Sequence, residues 1–222
     1  KRQDFRGQLL YVCCNSIAYE VQGEYGMEKQ VNETPALLII DMVKDNFIES
    51  FKMPLTEFAR AAIGPLNRLI EVFRGQNWPI VFSTDAFHED DFIFKAQRLK
   101  PHSLSGTEGA EVVDELDMQD DDLWLPKPRF SAFFNTGLEN WLRERGVSLC
   151  VVGGIATHIC VLSTVMDAVC HDFKAVMLED GSASYSEQLH EQTLGLYRHN
   201  PLYPLLRVAK SADLIAELLG KS

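Results

Sequence analysis

The sequence predicts an α/β fold in three layers (αβα), with a roughly six-stranded, mainly parallel sheet that carries helices on both faces. Two observations support this fold class. Short, continuous apolar runs such as 36–40 and 149–152 are typical of strands buried on both sides. Segments with helical apolar spacing, such as 58–76, separate these runs. Because a crossover helix brings successive strands into parallel alignment, this alternation predicts a parallel sheet.

The first half of the predicted sheet contains three strands and one long helix. Residues 36–40 are apolar throughout and end at Asp41, which predicts the first strand. The runs 79–84 and 123–126 predict the second and third strands, and the second leads into Asp85. Helical spacing over 58–76 is shown by Phe58, Ala62, Ile63, Leu66, Leu69, Ile70 and Phe73.

The second half of the chain continues the alternation to residue 219. Residues 138–145 predict a helix that ends at Gly146, and the apolar run 149–154 predicts the fourth strand. Thr157 begins a helix that reaches about residue 171. The remaining predicted elements are a strand over 175–178, a helix over 186–199, a strand over 205–208 and a closing helix over 211–219.

Residues 1–33 form an N-terminal extension, and residues 34–222 form the domain. The segment 23–30 is polar and rich in turn-forming residues, which predicts a joint between the two parts. Residues 12–21 have two interpretations: an arm or edge strand that reaches a neighbouring subunit, or a poorly ordered leader. The apolar stretch 9–14 has about six residues and is short for a signal peptide, so we expect a protein that is not secreted.

Composition excludes several classes of partner. The 222 residues carry 21 basic and 32 acidic side chains, a formal net charge of −11, which disfavours binding to nucleic acid. No apolar run approaches the roughly 18–20 residues of a membrane span. The five cysteines show no C-x-x-C spacing. We therefore expect a cytoplasmic protein with reduced thiols and no membrane partner.

Polar residues follow the first four predicted strands at the points where those strands end. Asp41 follows the first, Asp85 the second, Lys127 the third, and residues 153–160 the fourth. In parallel sheets, ligands bind at the carboxyl ends of the strands. These groups are therefore expected to converge on one binding site.

Cys160 is the candidate nucleophile. It lies in the first turn of a helix that follows Gly153 and Gly154, where unpaired backbone N–H groups lower the pKa of a thiol from about 8.5 and can bind an oxyanion. The alternative is a small buried apolar residue, as expected for Cys150 and Cys170. A thiolate also needs a base. His158 lies on a different side of the helix, and three other histidines have the positions of ordinary helix-surface or helix-end residues: His171, His190 and His199. The alternative base is Asp41, with Lys127 as the cation that lowers the thiol pKa and orients the carboxylate.

Four segments resemble the isochorismatase-like cysteine hydrolases, the group that contains the nicotinamidases. Residues 36–42 are similar to the first strand of that family with its catalytic aspartate, and residues 127–138 are similar to its catalytic-lysine segment. Residues 153–161 are similar to the nucleophile turn, and residues 102–111 to a loop between the second and third strands. The resemblance covers about residues 34–210.

The resemblance implies a mechanism for named residues. Asp41 is the base, Cys160 the nucleophile, and Lys127 the cation that keeps Asp41 charged. A cis peptide joins Ile155 to Ala156, so that the N–H groups of Ala156 and Cys160 form an oxyanion hole. The resemblance also implies a small-molecule substrate, no cofactor, and a homo-oligomer, either a dimer or a tetramer.

The sequence departs from the family pattern in the substrate pocket. Metal-bearing nicotinamidases carry the motif Asp-x-His after the second strand. In this sequence Phe87 stands two residues after Asp85, where that motif has its histidine, and His88 lies one position further along. We therefore expect no bound metal. The alternative is a metal site formed by Asp85, His88 and His102. Pocket residues are predicted to be Phe47, Asp85, Phe87, Phe130 and Phe133.

The predicted function is hydrolysis of a C–N bond in a small amide, ureido or carbamoyl compound through a thioester. One alternative is a vinyl-ether hydrolase of the isochorismate type, which uses the Asp and Lys without a nucleophilic Cys. The other is a catalytically silent thiol protein or scaffold, although such a protein has no need of both Asp41 and Lys127.

Overall fold

The computed structural model describes residues 33–48, 54–96 and 99–220. These residues contain a six-stranded sheet with the order β3-β2-β1-β4-β5-β6, in which every neighbouring pair is parallel. The strands are β1 (Pro35–Ile40), β2 (Ile80–Asp85), β3 (Leu123–Lys127), β4 (Leu149–Ile155), β5 (Lys174–Ala183) and β6 (Leu206–Ala209). The predicted sheet is confirmed. The prediction of an N-terminal extension falls on residues outside the described part of the chain, apart from Glu33.

Helices cover both faces of the sheet, which confirms the three-layer prediction. They are α1 (Leu55–Gly75), α2 (Leu138–Glu144), α3 (Leu162–Cys170), α4 (Glu187–Arg198) and α5 (Ser211–Leu218). Helices α1 and α5 pack on one face, and α2, α3 and α4 pack on the other. Within the described ranges, none of the helices is both long enough and apolar enough to cross a membrane.

Strand β1 shows why the central strands are apolar at every position. Leu37 and Ile39 belong to the core beneath α1, whereas Leu38 and Ile40 belong to the core on the opposite face. All four side chains are buried, and burying an aliphatic side chain of this size contributes about 1.5–3 kcal/mol. Both layers of the core therefore depend on the same short strand.

Strand β5 is longer than predicted. The apolar run 175–178 indicated four residues, but the strand continues through a polar segment to Ala183. The pairing with β4 shifts register between Val152 and Gly154 and then resumes as Gly154–Ser182. The extension is stabilised by pairing to its neighbour rather than by its own apolar pattern, and it carries the following residues towards the site.

The sheet order creates a switch point between β1 and β4. From β1 the chain adds β2 and β3 on one side, and then crosses back to add β4, β5 and β6 on the other. At this place β1 and β4 lie so close that a Cβ on Gly154 would overlap the Ile40 backbone, and Gly154 also has φ +111°. Crevices at such switch points are the usual ligand sites of open parallel sheets.

Candidate active site

Four buried polar side chains meet at the switch point. Asp41 follows β1, Asp85 ends β2, Lys127 ends β3, and Cys160 lies in a short π-helical segment (Thr157–Val161) after β4. Lys127 Nζ donates to Asp41 Oδ2 at 2.9 Å and also to Asp85 Oδ1. Cys160 Sγ and one oxygen from each carboxylate lie within 4.8 Å of one another. The structure thus brings together the three residues predicted for catalysis.

Asp41 is held in one orientation by its backbone and its side chain. Its φ is +54°, its N–H donates to the Ser83 carbonyl at 2.9 Å, and its carbonyl accepts from Asn46 Nδ2 at 3.0 Å. Its Oδ1 accepts the Asp85 N–H at 2.7 Å, while Oδ2 accepts from Lys127. With both carboxylate oxygens anchored, the group has little freedom to turn away from Cys160.

Burial dominates the proton affinities of the two carboxyl groups. It raises the pKa of Asp41, although the Lys127 charge and a hydrogen bond from Cys160 act in the opposite direction. Burial, together with the Asp41 charge, raises the pKa of Asp85 to about 7. For Lys127, burial lowers the pKa, but the charges of Asp41, Cys160 and Asp85 outweigh it, and the pKa rises. Lys127 is therefore a permanent cation.

The pKa of Cys160 differs from the sequence expectation. Burial and the nearby Asp41 charge raise the pKa of the thiol well above its ordinary value, and the Lys127 charge only partly offsets them. The expectation of a lowered pKa was wrong because it considered only the backbone N–H groups of the helix start. Two carboxylates and one ammonium surround the sulfur, so the resting thiol is neutral and its proton must pass to a base.

The turn that carries Cys160 is held from several sides. A cis peptide joins Ile155 to Ala156, as the resemblance implies. Thr157 is buried, and its Oγ1 lies 2.8 Å from His190 Nδ1. Thr164 Oγ1 donates to the Cys160 carbonyl at 2.8 Å. These contacts place the sulfur at the base of a cavity.

The cavity above these groups has a volume of about 720 Å³. Its floor consists of buried residues, Asp41, Asp85, Ile155, Ala156 and Cys160. Its rim consists of exposed residues, Leu99, Lys100, Pro101 and Phe130. The half-buried lining residues form the walls: Ile93, His102, Ile159 and Tyr185. Three further buried residues complete the lining: Asn46, Leu55 and Phe87. Such a volume suits a small organic molecule.

Three of the five predicted pocket residues line this cavity: Asp85, Phe87 and Phe130. The placement of Phe47 and Phe133 was wrong, because neither contributes to the lining. Phe47 is buried in the core beneath α1, with the Arg60 guanidinium 5.3 Å from its ring centroid. Phe133 is buried on the opposite face of the sheet. The Phe47 and Phe133 side chains thus pack in the hydrophobic cores on the two faces of the sheet.

Sequence reasoning missed Asn46, Lys100 and Tyr185. No role was predicted for Asn46, yet its side-chain amide donates a hydrogen bond to the Asp41 carbonyl. Tyr185 reaches the cavity because β5 extends to Ala183, beyond its apolar run. Its ring packs edge-on against His158, whose Nδ1 lies 2.7 Å from Ser184 Oγ. Lys100 lies in a loop, where neither apolar periodicity nor a motif indicates which side chains line a cavity.

The donor set does not fit the metal that the family pattern suggests. Within the described part of the chain, the ligand atoms of Asp85, His88 and His102 do not form a cluster. The Asp85 carboxylate is occupied by Lys127, and His88 is exposed. The His102 ring packs edge-on against Phe87, at 5.8 Å between ring centroids. The phenylalanine therefore fills space where the family pattern has an imidazole.

Comparison with known proteins identifies the family. A family model described as Isochorismatase domain matches residues 35–206. The chain therefore belongs to this family of hydrolases, and the predicted resemblance is confirmed.

Individual relatives differ in the activity that their names state. A probable inactive nicotinamidase of Arabidopsis thaliana is 33% identical over 165 residues, which cover 70% of this chain and 83% of that protein. The ureidoacrylate amidohydrolase RutB of Klebsiella pneumoniae is 47% identical over 72 residues, only 32% of this chain and 30% of the relative. The structure of N-carbamoylsarcosine amidase from Thermoplasma acidophilum aligns with a TM-score of 0.67 and 28% identity, covering 80% of this chain and 96% of that chain.

Proposed function

We propose that this protein is a cysteine amidohydrolase that cleaves a C–N bond of a small amide, ureido or carbamoyl compound. The observation that carries the proposal is that Cys160 and Asp41 lie buried at the floor of a cavity, with the buried Lys127 hydrogen-bonded to Asp41. A thiol beside an oriented carboxylate is the arrangement that activates a sulfur nucleophile. We expect no cofactor to take part.

In the proposed reaction, Asp41 takes the thiol proton as Cys160 Sγ attacks the carbonyl carbon of the substrate. The carbonyl π electrons move to oxygen, and the N–H groups of Ala156 and Cys160 bind the resulting oxyanion. As this intermediate collapses, the C–N bond breaks, and Asp41 donates its proton to the departing nitrogen. Asp41 next deprotonates a water molecule, which attacks the thioester, and the proton returns to the sulfur. The raised pKa of Asp41 suits a group that must both accept and return a proton.

Lys127 makes this proton transfer possible without leaving unpaired charge in the interior. When the Cys160 proton passes to Asp41, the negative charge moves from a carboxylate to a sulfur, and both lie beside the same ammonium. A buried cation at this position stabilises each state in turn. Asp85 anchors the other side of the ammonium, so we propose a supporting role for it rather than a role in the chemistry.

The names of the relatives support an amide-type substrate. One is named a ureidoacrylate amidohydrolase, one an N-carbamoylsarcosine amidase and one a probable inactive nicotinamidase. The first two names are those of an amidohydrolase and an amidase. Because the first of these relatives matches only 30% of its own length, its substrate does not transfer directly.

Two other functions are distinguishable. One alternative is a catalytically silent protein, because one relative is named a probable inactive nicotinamidase. Against this alternative, Asp41, Lys127 and Cys160 are all present in this chain. A vinyl-ether hydrolase of the isochorismate type has no need of the sulfur. It would keep its activity in a Cys160→Ala variant, whereas the proposed amidohydrolase would lose it.

The decisive experiment traps the thioester. The protein is mixed with a panel of amides (nicotinamide, N-carbamoyl amino acids, biuret and ureidoglycolate), quenched in acid and mapped by mass spectrometry, while ammonia release is followed in parallel. We expect one member of the panel to release ammonia and to leave an acyl group on Cys160. Cys170→Ala is the matched control, because Cys170 does not line the cavity and is exposed rather than buried as the sequence predicted. Ammonia release that survives in Cys160→Ala would contradict the proposal.

A homo-oligomer, a cytoplasmic location and the lack of a nucleic-acid partner stay predictions. Exposed apolar side chains follow one another near β6, at Leu196, Leu202, Tyr203 and Leu205. Light scattering coupled to size exclusion would give the mass in solution. A monomer at micromolar concentration would contradict the oligomer.

A further inference from the structure

His190 on α4 links the candidate active site to β5. Its Nδ1 lies 2.8 Å from Thr157 Oγ1, at the start of the π-helical segment that carries Cys160. Its Nε2 lies 3.0 Å from the Glu179 carbonyl oxygen. The position of His190 along the chain predicts an ordinary helix residue, but the side chain is half-buried and both ring nitrogens have partners. Because His190 does not line the cavity, its contact with the site is made through Thr157.

These two contacts determine which ring nitrogen carries the proton. A backbone carbonyl can only accept a hydrogen bond, so His190 Nε2 carries the proton and donates it to Glu179. A neutral imidazole has one N–H group, which leaves a lone pair on Nδ1. The Thr157 hydroxyl therefore donates its hydrogen bond to His190 Nδ1.

The surroundings of His190 favour this neutral form. Burial lowers the pKa of the imidazole, Glu179 and Glu191 raise it, and Arg198 lowers it, with a net decrease. Arg198 also pairs with the two glutamates, at 3.1 Å and 2.9 Å, and Lys210 Nζ lies 3.6 Å from Glu179. The other titratable side chains on β5, β6 and the π-helical segment contact partners other than His190: His158, Cys160, Lys174, Asp180 and Arg207.

Thr157 lies where a loose turn would displace the reactive groups. It is fully buried, directly follows Ala156 and precedes Cys160 by three residues. No side chain in the described ranges caps the first turn of this segment. The hydroxyl bonded to His190 is thus the side-chain anchor at the start, and Thr164 Oγ1, bonded to the Cys160 carbonyl, is the anchor further along. Both contacts are made on the side away from the cavity, since neither threonine lines it.

We propose that His190 is a positioning residue, whose neutral imidazole accepts the Thr157 hydroxyl and thereby holds Cys160 and the neighbouring backbone N–H groups in the reactive orientation. It takes no part in bond breaking. The inference rests on the proposed function for its meaning in catalysis, because that function makes Cys160 the nucleophile. Protonation of Nδ1 would turn the acceptor into a donor, so the Thr157 contact in its present form would be lost.

Alkylation of Cys160 by iodoacetamide tests this role without a substrate. Peptide mass spectrometry gives the rate at Cys160 relative to the exposed Cys170 of the same sample. In His190→Asn an acceptor oxygen lies close to the former Nδ1 position, whereas His190→Gln places its amide near Nε2 and leaves Thr157 without its acceptor. We expect His190→Gln to slow the Cys160 reaction about three- to tenfold, as for one lost hydrogen bond, and His190→Asn to retain most of the rate.

The pH profile separates positioning from a merely structural role. As pH falls from about 8 to about 5, protonation of His190 should bring the wild-type rate towards that of His190→Gln. The ratio of the His190→Asn rate to the His190→Gln rate should stay constant, because neither amide titrates. Thr157→Val should slow the reaction as much as His190→Gln, and the two changes together should slow it no further. Urea unfolding should show similar stabilities for the asparagine and glutamine variants, since each loses one ring contact.

His199→Gln is the matched control, because His199 is exposed at the C-terminal end of the same helix, and its rate should equal that of the wild type. Equal Cys160 rates in the wild type and His190→Gln, equal slowing in His190→Asn and His190→Gln, or no reaction of Cys160 in the wild type would overturn the proposal. Failure of the proposed function would instead appear in the thioester experiment, as an absence of ammonia release and of an acyl group on Cys160, while the alkylation rates would still report on His190.

Discussion

The floor and the rim of the cavity are built in opposite ways. On the floor, Asp41 is 3% exposed, and each of its carboxylate oxygens has a hydrogen-bond partner. At the rim, Phe130 is 38% exposed and Leu99 is 42% exposed, and both lie on connections rather than on strands. The floor comes from the carboxyl ends of β1, β2 and β4, which are interior strands of the sheet, so any shift there disturbs the core. The rim is able to change without cost to the sheet. Within the proposed function, we therefore assign the reaction to the floor and the choice of substrate to the rim.

A buried charged floor also has an energetic consequence. Taking carboxylates and an ammonium out of water costs several kcal/mol for each ion, and only their mutual attraction offsets that cost. Lys127 contacts both Asp41 and Asp85, so loss of this one side chain would leave two carboxyl groups with no cation. Such a site is explained by its chemistry rather than by a gain in stability.

Removal of the sulfur is expected to have the largest effect. Cys160→Ala deletes the proposed nucleophile, so kcat/KM for the amide substrate should fall by about 10⁴-fold or more. The side chain is small, and the fold should persist, as judged by circular dichroism. Cys170→Ala, on the exposed end of α3, should keep wild-type activity. A fall in kcat/KM of less than about tenfold in Cys160→Ala would contradict the proposed role of the floor residues in the reaction.

Neutralising the base is expected to rank second. Asp41→Asn keeps the shape of the side chain but cannot take the thiol proton, so kcat should fall by about 10²–10⁴-fold. The acid limb of the pH–rate profile, which reports ionisation of Asp41, should disappear at the same time. Asp45→Asn is a suitable control, because Asp45 contacts the Ser103 N–H behind the rim and does not face Cys160. Retention of the acid limb in Asp41→Asn would assign it to another group.

Asp85 should make the floor sensitive to pH in a predictable direction. Its pKa is about 7 in the folded protein and 3.8 ordinarily, so between these values the native state binds more protons than the unfolded state. The free energy of unfolding should therefore fall as pH rises through this window. Relative to Asp85→Asn, the wild-type protein should lose about 1–3 kcal/mol between pH 4.5 and 7.5, as measured by urea unfolding. A difference that stays constant, or grows in favour of the wild type, would show that the Asp85 pKa is not raised.

The smallest expected effect lies on the wall between floor and rim. Tyr185→Phe removes one hydroxyl from the lining and retains the edge contact with His158. Loss of one hydrogen bond to the substrate should raise KM by about two- to tenfold and change kcat little. Tyr197→Phe, on α4 and outside the cavity, is the matched control. A kcat effect as large as that of Asp41→Asn would place the tyrosine in the chemistry and break the division between floor and rim.

Much of the site was predictable because strand ends are easy to find. The apolar runs before Asp41 and before Gly153 predicted two strands. The strand order in the structure places these strands, β1 and β4, side by side, which brings Asp41 close to Cys160. Phe47 and Phe133 were assigned wrongly because an aromatic side chain near a catalytic segment has the same sequence signal whether it faces a cavity or the core. The predicted shift of the Cys160 pKa had the wrong direction, because this pKa depends on burial and on the charged groups that surround the sulfur.

The sequence by itself determined the α/β class, the strand ends that carry the candidate site residues, and the family. These features are local: apolar periodicity and short motifs carry them, and neighbouring residues are enough to recognise them. Only the tertiary structure decided that Lys127 lies between two carboxyl groups, that Phe87 packs where the family pattern has a histidine, and that Lys100 faces the cavity from its rim. Each of these facts depends on distances between residues far apart in sequence, which packing alone sets.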